Sequence, residues 1–201
     1  MTIYQLKPAF QNLLRPLCRT LAGRGITANQ VTVAALLLSL AAGLAIWLSG
    51  GARWALALLP PVLLARMALN AVDGMLAREH AMQTALGAIL NELGDVLSDS
   101  ALYLPLAAVP GLEPTLVVLI VLLAMVSEMT GVVAVLVGAQ RRYDGPMGKS
   151  DRALAFGLLA LLLAAGVPGG SWLLIVLSLI LVLLAGTIVN RARRALAEVT
   201  P

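Results

Sequence analysis

Six apolar runs, at residues 31–48, 54–72, 86–109, 114–139, 152–167 and 172–189, occupy most of this 201-residue chain. A helix rises about 1.5 Å per residue, and crossing the hydrocarbon core of a bilayer takes about 20 apolar residues. Backbone polar groups in hydrocarbon must be satisfied within the segment, which favours helices. The runs therefore predict an all-α integral membrane protein with six transmembrane helices. They also predict one domain over residues 1–201, with short connections and no separate soluble part. Composition agrees. The chain is 60% hydrophobic and 12% charged, where a soluble domain carries about 45–50% apolar and about 25% charged residues. Gly50-Gly51, Pro110-Gly111 and Pro168-Gly169-Gly170 punctuate the runs, and Pro60-Pro61 predicts a kink in the second.

Ahead of the first run, residues 2–24 place Ile3, Leu6, Phe10, Leu13, Leu14, Leu17 and Leu21 at mostly three- and four-residue spacing, with Lys7, Arg15, Arg19 and Arg24 between them. That pattern predicts an amphipathic helix lying in the headgroup layer. Thr27 or Asn29 is positioned to cap the helix that follows. No removable signal peptide is expected, and the single Cys18 excludes an internal disulfide framework. Twelve of the fourteen Lys and Arg residues fall before the first run, after the last, or in the 2–3 and 4–5 connections. The positive-inside rule then puts both termini and those two connections in the cytoplasm. Trp54 and Trp172 begin runs on the other side, as an aromatic belt would.

One stretch resists a purely apolar reading. Arg66, Asn70 and Asp73 share one face of a helix, and Gly87, Asn91, Asp95 and Asp99 follow one another every fourth residue on the next. A short connection makes the two helices antiparallel neighbours, so the stripes can face each other near the cytoplasmic interface. A charged Asp within a span costs about 2.5–3.5 kcal/mol at a central position. Three carboxylates and two amides together call for a partner. Oxygen-rich sites suit hard divalent cations, and Mg²⁺ suits phosphate chemistry. Gly74 and Gly87 leave room for a ligand close to the backbone.

The stretch reads Asn70-x2-Asp73-Gly74-x2-Ala77-Arg78-x8-Gly87-x3-Asn91-x3-Asp95. It resembles the signature of the CDP-alcohol phosphotransferase family, D-x2-D-G-x2-A-R-x8-G-x3-D-x3-D, at every spacing. The resemblance extends to Gly25-Ile-Thr27-Ala-Asn29-Gln30-Val-Thr32 and to Gly148-Lys149. It implies transfer of a substituted phosphate, most simply phosphatidyl, from a CDP-alcohol lipid to an acceptor alcohol with release of CMP, in phospholipid biosynthesis. It implies Mg²⁺ or Mn²⁺ held at the positions of Asn70, Asp73, Asn91 and Asp95, with Asp95 as the base that deprotonates the attacking hydroxyl. Gly74, Ala77, Arg78 and Gly87 match the nucleotide pocket, and Lys149 matches an acceptor-side element. The family further implies a homodimer in a membrane, with membrane lipids around it and no nucleic-acid partner. A bacterial inner membrane with the site on its cytoplasmic side is expected.

Two of the four signature aspartates are Asn in this chain. Each offers a neutral carbonyl in place of a carboxylate. The site then holds two metals more weakly, holds one, or has lost transfer; a catalytically impaired relative acting as a structural or regulatory partner is the alternative. Asp99 is the nearest candidate to compensate, and Glu92 is about 100° off the face. A transporter would show repeated halves and a midplane site, and the motif occurs once. Glu128 reads equally as a cavity residue or an interhelical bond. Arg141, Arg142, Lys149 and Arg152 suit an anionic acceptor or ordinary anionic-lipid contact. His80 reads as a solvated loop residue, and Gly131, Ala134 and Gly138 as a close-packing stripe, across a dimer seam for example.

Overall fold

The structure, a computed structural model, describes residues 3–199, with side chains described from residue 8 onward. Expectations that rest on the side chains of Ile3, Leu6 and Lys7 lie outside the described residues. All regular structure among the described residues is helical: α1 (Ile3–Gly23), α2 (Ala28–Leu48), α3 (Arg53–Glu79), α4 (Ala85–Tyr103), a 3₁₀ turn (Leu104–Ala108), α5 (Pro114–Leu136), α6 (Lys149–Ala164) and α7 (Ser171–Val199). Four of these, α2, α3, α5 and α7, are long and apolar enough to cross a membrane. The other two expected spans are helical but do not meet that standard: α6 has 16 residues, and α4 carries Glu92, Asp95 and Asp99 within its 19.

Helix ends follow local chemistry. Thr27 and Gln30 close a reciprocal capping box ahead of α2: the Gln30 amide N–H donates to Thr27 Oγ1 at 3.3 Å and the Thr27 N–H to Gln30 Oε1 at 2.9 Å. Thr84 caps α4 by accepting the Gly87 N–H at 2.9 Å. The expected third span ends early as an α-helix, at Tyr103, where Pro105 cannot donate to the ladder and the chain tightens into the 3₁₀ turn. α5 stops at Leu136 because Gly138, at φ +91°, turns into the left-handed region, and the Ala139 N–H reaches back to the carbonyl of Ala134 at 3.1 Å. α3 runs unbroken through Pro60-Pro61 and continues to Glu79, seven residues past the expected end, which puts Asn70, Asp73, Gly74, Ala77 and Arg78 on one helix.

The chain falls into two compact units, Met1–Ala41 with Pro61–Ser98 and Ala42–Pro60 with Asp99–Pro201. In the first, Cys18, Ala28, Val31, Val72, Met75 and Leu76 form the buried cluster, covered by Leu14, Leu21, Ile26 and Leu69. In the second, α5 packs along α7, and Tyr103 stacks on Phe156 with ring centroids 4.3 Å apart. Leu37, Leu44, Leu64, Leu122, Leu136, Ile175 and Val182 are among many large apolar side chains left outside these cores, as a lipid-facing surface requires.

Candidate active site

The two polar stripes meet in the first unit. Asn70 on α3 donates from Nδ2 to Asp95 Oδ1 on α4 at 3.1 Å. Arg66, one turn earlier on α3 and 2% exposed, donates from Nη2 to the Asp95 backbone oxygen at 3.0 Å and lies 3.7 Å from Oδ1. A buried guanidinium is costly unless paired and hydrogen-bonded. Arg66 is therefore a structural counter-charge that fixes where the Asp95 turn sits. The Asp95 side chain keeps 27% exposure, so it is both held and reachable.

Asp73 is buried, and α2 holds it: Thr32 donates from Oγ1 to Asp73 Oδ2 at 2.8 Å. Asn29, one turn earlier on α2, lies against the start of α4, 3.4 Å from Thr84 Oγ1. A Cβ on residue 87 would come within 2.6 Å of Asn29 Oδ1, so a larger residue there would push the Asn29 side chain aside. Arg78 folds its guanidinium over Gly74, where a Cβ would meet Nη2 at 3.2 Å. Ala77 packs half-buried against the Cys18 cluster. Asn91 is half-buried one turn before Asp95, and His80 is exposed after α3, as a loop residue should be. Thr32 enters the sequence reading only through a resemblance, and Asn29 through that and as a candidate helix cap, a role the structure gives to Thr27. Their partners lie 41 and 55 residues away, and their shared face on the first turn of α2 is the one local signal.

Among the described residues, no three His, Cys, Asp or Glu side chains come together as a metal cage. The donors present are two carboxylates, Asp73 and Asp95, and the amide oxygens of Asn70 and Asn91. Because Asn70 spends its N–H on Asp95, its carbonyl oxygen is the atom free to face a cation. All-oxygen donors with two carboxylates suit one Mg²⁺ or Mn²⁺ that completes its shell with water and substrate phosphate. Two cations of charge +2 are poorly matched to two carboxylates.

The second unit carries its own polar network. Arg152, wholly buried, donates from Nη2 to Asp99 Oδ2 at 2.7 Å and to Glu128 Oε1 at 3.0 Å, and from Nε to Asp99 Oδ2 at 3.2 Å. Glu128 also pairs with Arg141 at 3.1 Å and Arg191 at 3.3 Å. These contacts bear on two residues singled out in the sequence. Asp99 is ion-paired with Arg152, and Glu128 is an interhelical partner. The small-residue stripe is also used internally. Gly131 makes room for the Arg141 guanidinium and the Arg142 carbonyl, Ala134 is buried with Ala139 and Ala195, and Gly138 is exposed. Lys149 opens α6, partly exposed.

Residues 25–189 match the model of the CDP-alcohol phosphatidyltransferase family. The chain is 49% identical over 196 residues to the inner membrane protein YnbA of Escherichia coli (strain K12), covering 98% of this chain and 97% of that one. In structure it resembles the phosphatidylinositol phosphate synthase PgsA1 of Mycobacterium tuberculosis. With CDP-DAG bound, PgsA1 matches at TM-score 0.75 and 21% identity, over 91% of this chain and 93% of that one. In complex with manganese and citrate it matches at TM-score 0.74 and 21% identity, over 90% and 87%.

Proposed function

The chain belongs to the CDP-alcohol phosphatidyltransferase family, and from that premise we propose that it moves a phosphatidyl group from a CDP-activated lipid to an acceptor alcohol, releasing CMP, in membrane phospholipid synthesis. The observation that carries the reading is the held but reachable Asp95 carboxylate, fixed by Asn70 and Arg66 and set on the same signature as the buried, Thr32-bonded Asp73. In this reading Asp95 takes the proton of the attacking hydroxyl. Asp73, Asp95, Asn70 and Asn91 hold one Mg²⁺ or Mn²⁺. When bound, that cation neutralises charge on the diphosphate. Gly74 and Gly87 leave space for the nucleotide, Arg78 supplies a cation beside it, Ala77 packs the helix behind it, and Lys149 stands on the acceptor side. That PgsA1 has been seen with CDP-DAG and with manganese supports this assignment.

The topology that accompanies it is six spans in one domain, with α4 and α6 completing the bundle and α1 lying in the headgroup layer. Both termini and the site face the cytoplasm of a bacterial inner membrane, consistent with the name of the Escherichia coli relative. Labelled CDP-diacylglycerol incubated with the purified protein, Mn²⁺ and a panel of alcohols tests the reading. It predicts a new phospholipid on chromatography. No new lipid with any alcohol would instead favour the non-catalytic, regulatory alternative.

A further inference from the structure

Between α5 and α6 the chain forms no helix over residues 137–148. Its backbone polar groups must find partners outside any ladder of their own, and one face of α7 supplies them. Glu198 Oε1 accepts the Gln140 N–H at 3.1 Å. Arg191 donates to the carbonyls of Tyr143 at 3.2 Å and Asp144 at 3.3 Å. Thr187 Oγ1 accepts the Met147 N–H at 2.9 Å. Side chains repeat the pattern. Glu198 pairs with Arg142 at 2.8 Å, and Asp144 receives Asn190 Nδ2 at 3.0 Å and Arg194 Nε at 3.2 Å. Thr187, Asn190, Arg191, Arg194 and Glu198 follow one another at three- and four-residue spacing, which is a single helix face. The fit is close at Gly145, where φ is +147° and a Cβ would come within 2.5 Å of Thr187 Cγ2.

We propose that the part of α7 facing this connection is a two-part clasp: a solvent-exposed latch at Arg194 and Glu198 that salt loosens, and a buried bolt at Thr187 and Arg191 that salt does not reach. All of these residues lie within the second unit, and the proposal does not depend on the transfer reading above. It gives the last turns of α7, beyond the apolar run, a conformational role.

Burial divides the two parts. Thr187 is wholly buried and Arg191 is 1% exposed. The side chains of the latch are open to water: Arg142 is 20% exposed, Glu198 33% and Arg194 61%. Dissolved ions screen exposed pairs and leave buried ones nearly untouched. The two parts also differ in what opening them would strand. Arg191 gives a further N–H to the Ser127 carbonyl and lies 3.3 Å from Glu128, so withdrawing it leaves buried charge without compensation. When the latch opens, Arg142 keeps Asp144 at 3.1 Å, and its own N–H stays on the Gly131 carbonyl at 3.2 Å. Beneath the latch only Ala134, Ala139 and Ala195 are buried together. Side chains of that size give up little apolar area when the last turn of α7 lifts. The Met147 end stays fastened, and with it the start of α6, where the Gly148 N–H bonds Asp151 Oδ2 at 2.9 Å.

Hydrogen exchange read amide by amide, on the full chain in phosphatidylcholine nanodiscs, tests this. Raising salt to about 1 M shortens the screening length to about 3 Å. Exchange at the Gln140 N–H is expected to quicken about two- to fivefold, the scale of an exposed ion pair, with the Met147 N–H unchanged. At low salt, Glu198→Ala removes a hydrogen bond to a charged group and is expected to quicken Gln140 roughly tenfold or more. Met147 again stays unchanged, and Gln140 loses most of its salt response. Thr187→Val keeps the side-chain shape and is expected to do the reverse, quickening Met147 and sparing Gln140. Gln140 exchange that ignores both salt and Glu198→Ala overturns the latch. Equal acceleration at Gln140 and Met147, under salt or in either variant, overturns the division into two parts.

Discussion

Asn70 donates its side-chain amide to the Asp95 carboxylate across the α3–α4 interface at 3.1 Å. An aspartate at position 70 would instead set two carboxylates against each other, and a cation would have to hold them together. The Asn therefore keeps Asp95 in place without metal, at the cost of one ligand charge.

Restoring that charge should change metal stoichiometry. Asn70→Asp with Asn91→Asp adds two carboxylates to a site that has two, and affinity for divalent ions rises with the charge of the ligands. Calorimetry with Mn²⁺ should move from one ion to two, with the first bound at least about tenfold tighter. Unchanged stoichiometry and affinity would show that positions 70 and 91 do not face the cation.

Thr32→Val removes the hydroxyl that bonds Asp73 and leaves the packing volume nearly unchanged. Loss of one such bond to a buried carboxylate costs about 1.5–3 kcal/mol, and loss of an orienting partner lowers metal affinity about 10–100-fold. A Mn²⁺ titration and a melting curve on the same sample read both. Thr32→Ser should restore most of each.

The ion pairs of the molecule should separate sharply by burial. Arg15 and Glu79 are paired at 3.0 Å but about two-fifths exposed, so Glu79→Gln should shift stability by less than about 1 kcal/mol. Arg152→Met leaves Asp99 and Glu128 without their shared buried partner and should cost about 3–5 kcal/mol. Thermal unfolding in detergent compares the two. Equal effects would mean that solvent reaches the Arg152 network.

Cys18 offers a check on α1. The thiol is wholly buried. Burial pushes its pKa up, the nearby Glu79 adds to this, and Arg15 opposes it. The neutral thiol is favoured in the folded protein, so this contribution to stability is complete below the ordinary thiol value of about 8.5 and is lost as pH rises through the raised folded value. Maleimide should fail to label native Cys18 at neutral and mildly alkaline pH and should label it fully in denaturant. Rapid native labelling would mean that α1 does not pack on α2 and α3.

The facing stripes were legible because they depend on local spacing. Asn70 and Asp73 repeat along one helix, Asn91 and Asp95 along the next, and a short turn leaves the helices little choice but to pair. Contacts made at long sequence distance were not legible. Nothing near Asp73 names Thr32 as its partner, and Glu128, Arg152 and Arg191 looked like three separate charges until the fold joined them. Length misled where chemistry extended or cut a helix. α7 continues ten residues past Val189 because Arg191 is buried and bonded and Glu198 is tied to Arg142 and to the Gln140 N–H. α4 ends before its apolar run does because Pro105 breaks the ladder. Close packing was legible for Gly131 and Ala134 on α5, whereas Gly138 lies past the end of the helix and is exposed. The partners of these two residues are Arg141, Arg142 and Ala139 of the connection after α5 and Ala195 of α7, which no spacing rule identifies.

The most direct test of the central claim is metal-dependent CMP release from CDP-diacylglycerol by the purified wild-type protein and by Asp95→Asn, with a panel of phosphorylated and unphosphorylated alcohols as acceptors. The account predicts release that requires Mg²⁺ or Mn²⁺ and falls about 10²–10⁴-fold in the variant, the range a positioned base contributes, while binding of the CDP-lipid persists. Release that is unchanged by Asp95→Asn, or no release with any acceptor, would contradict it.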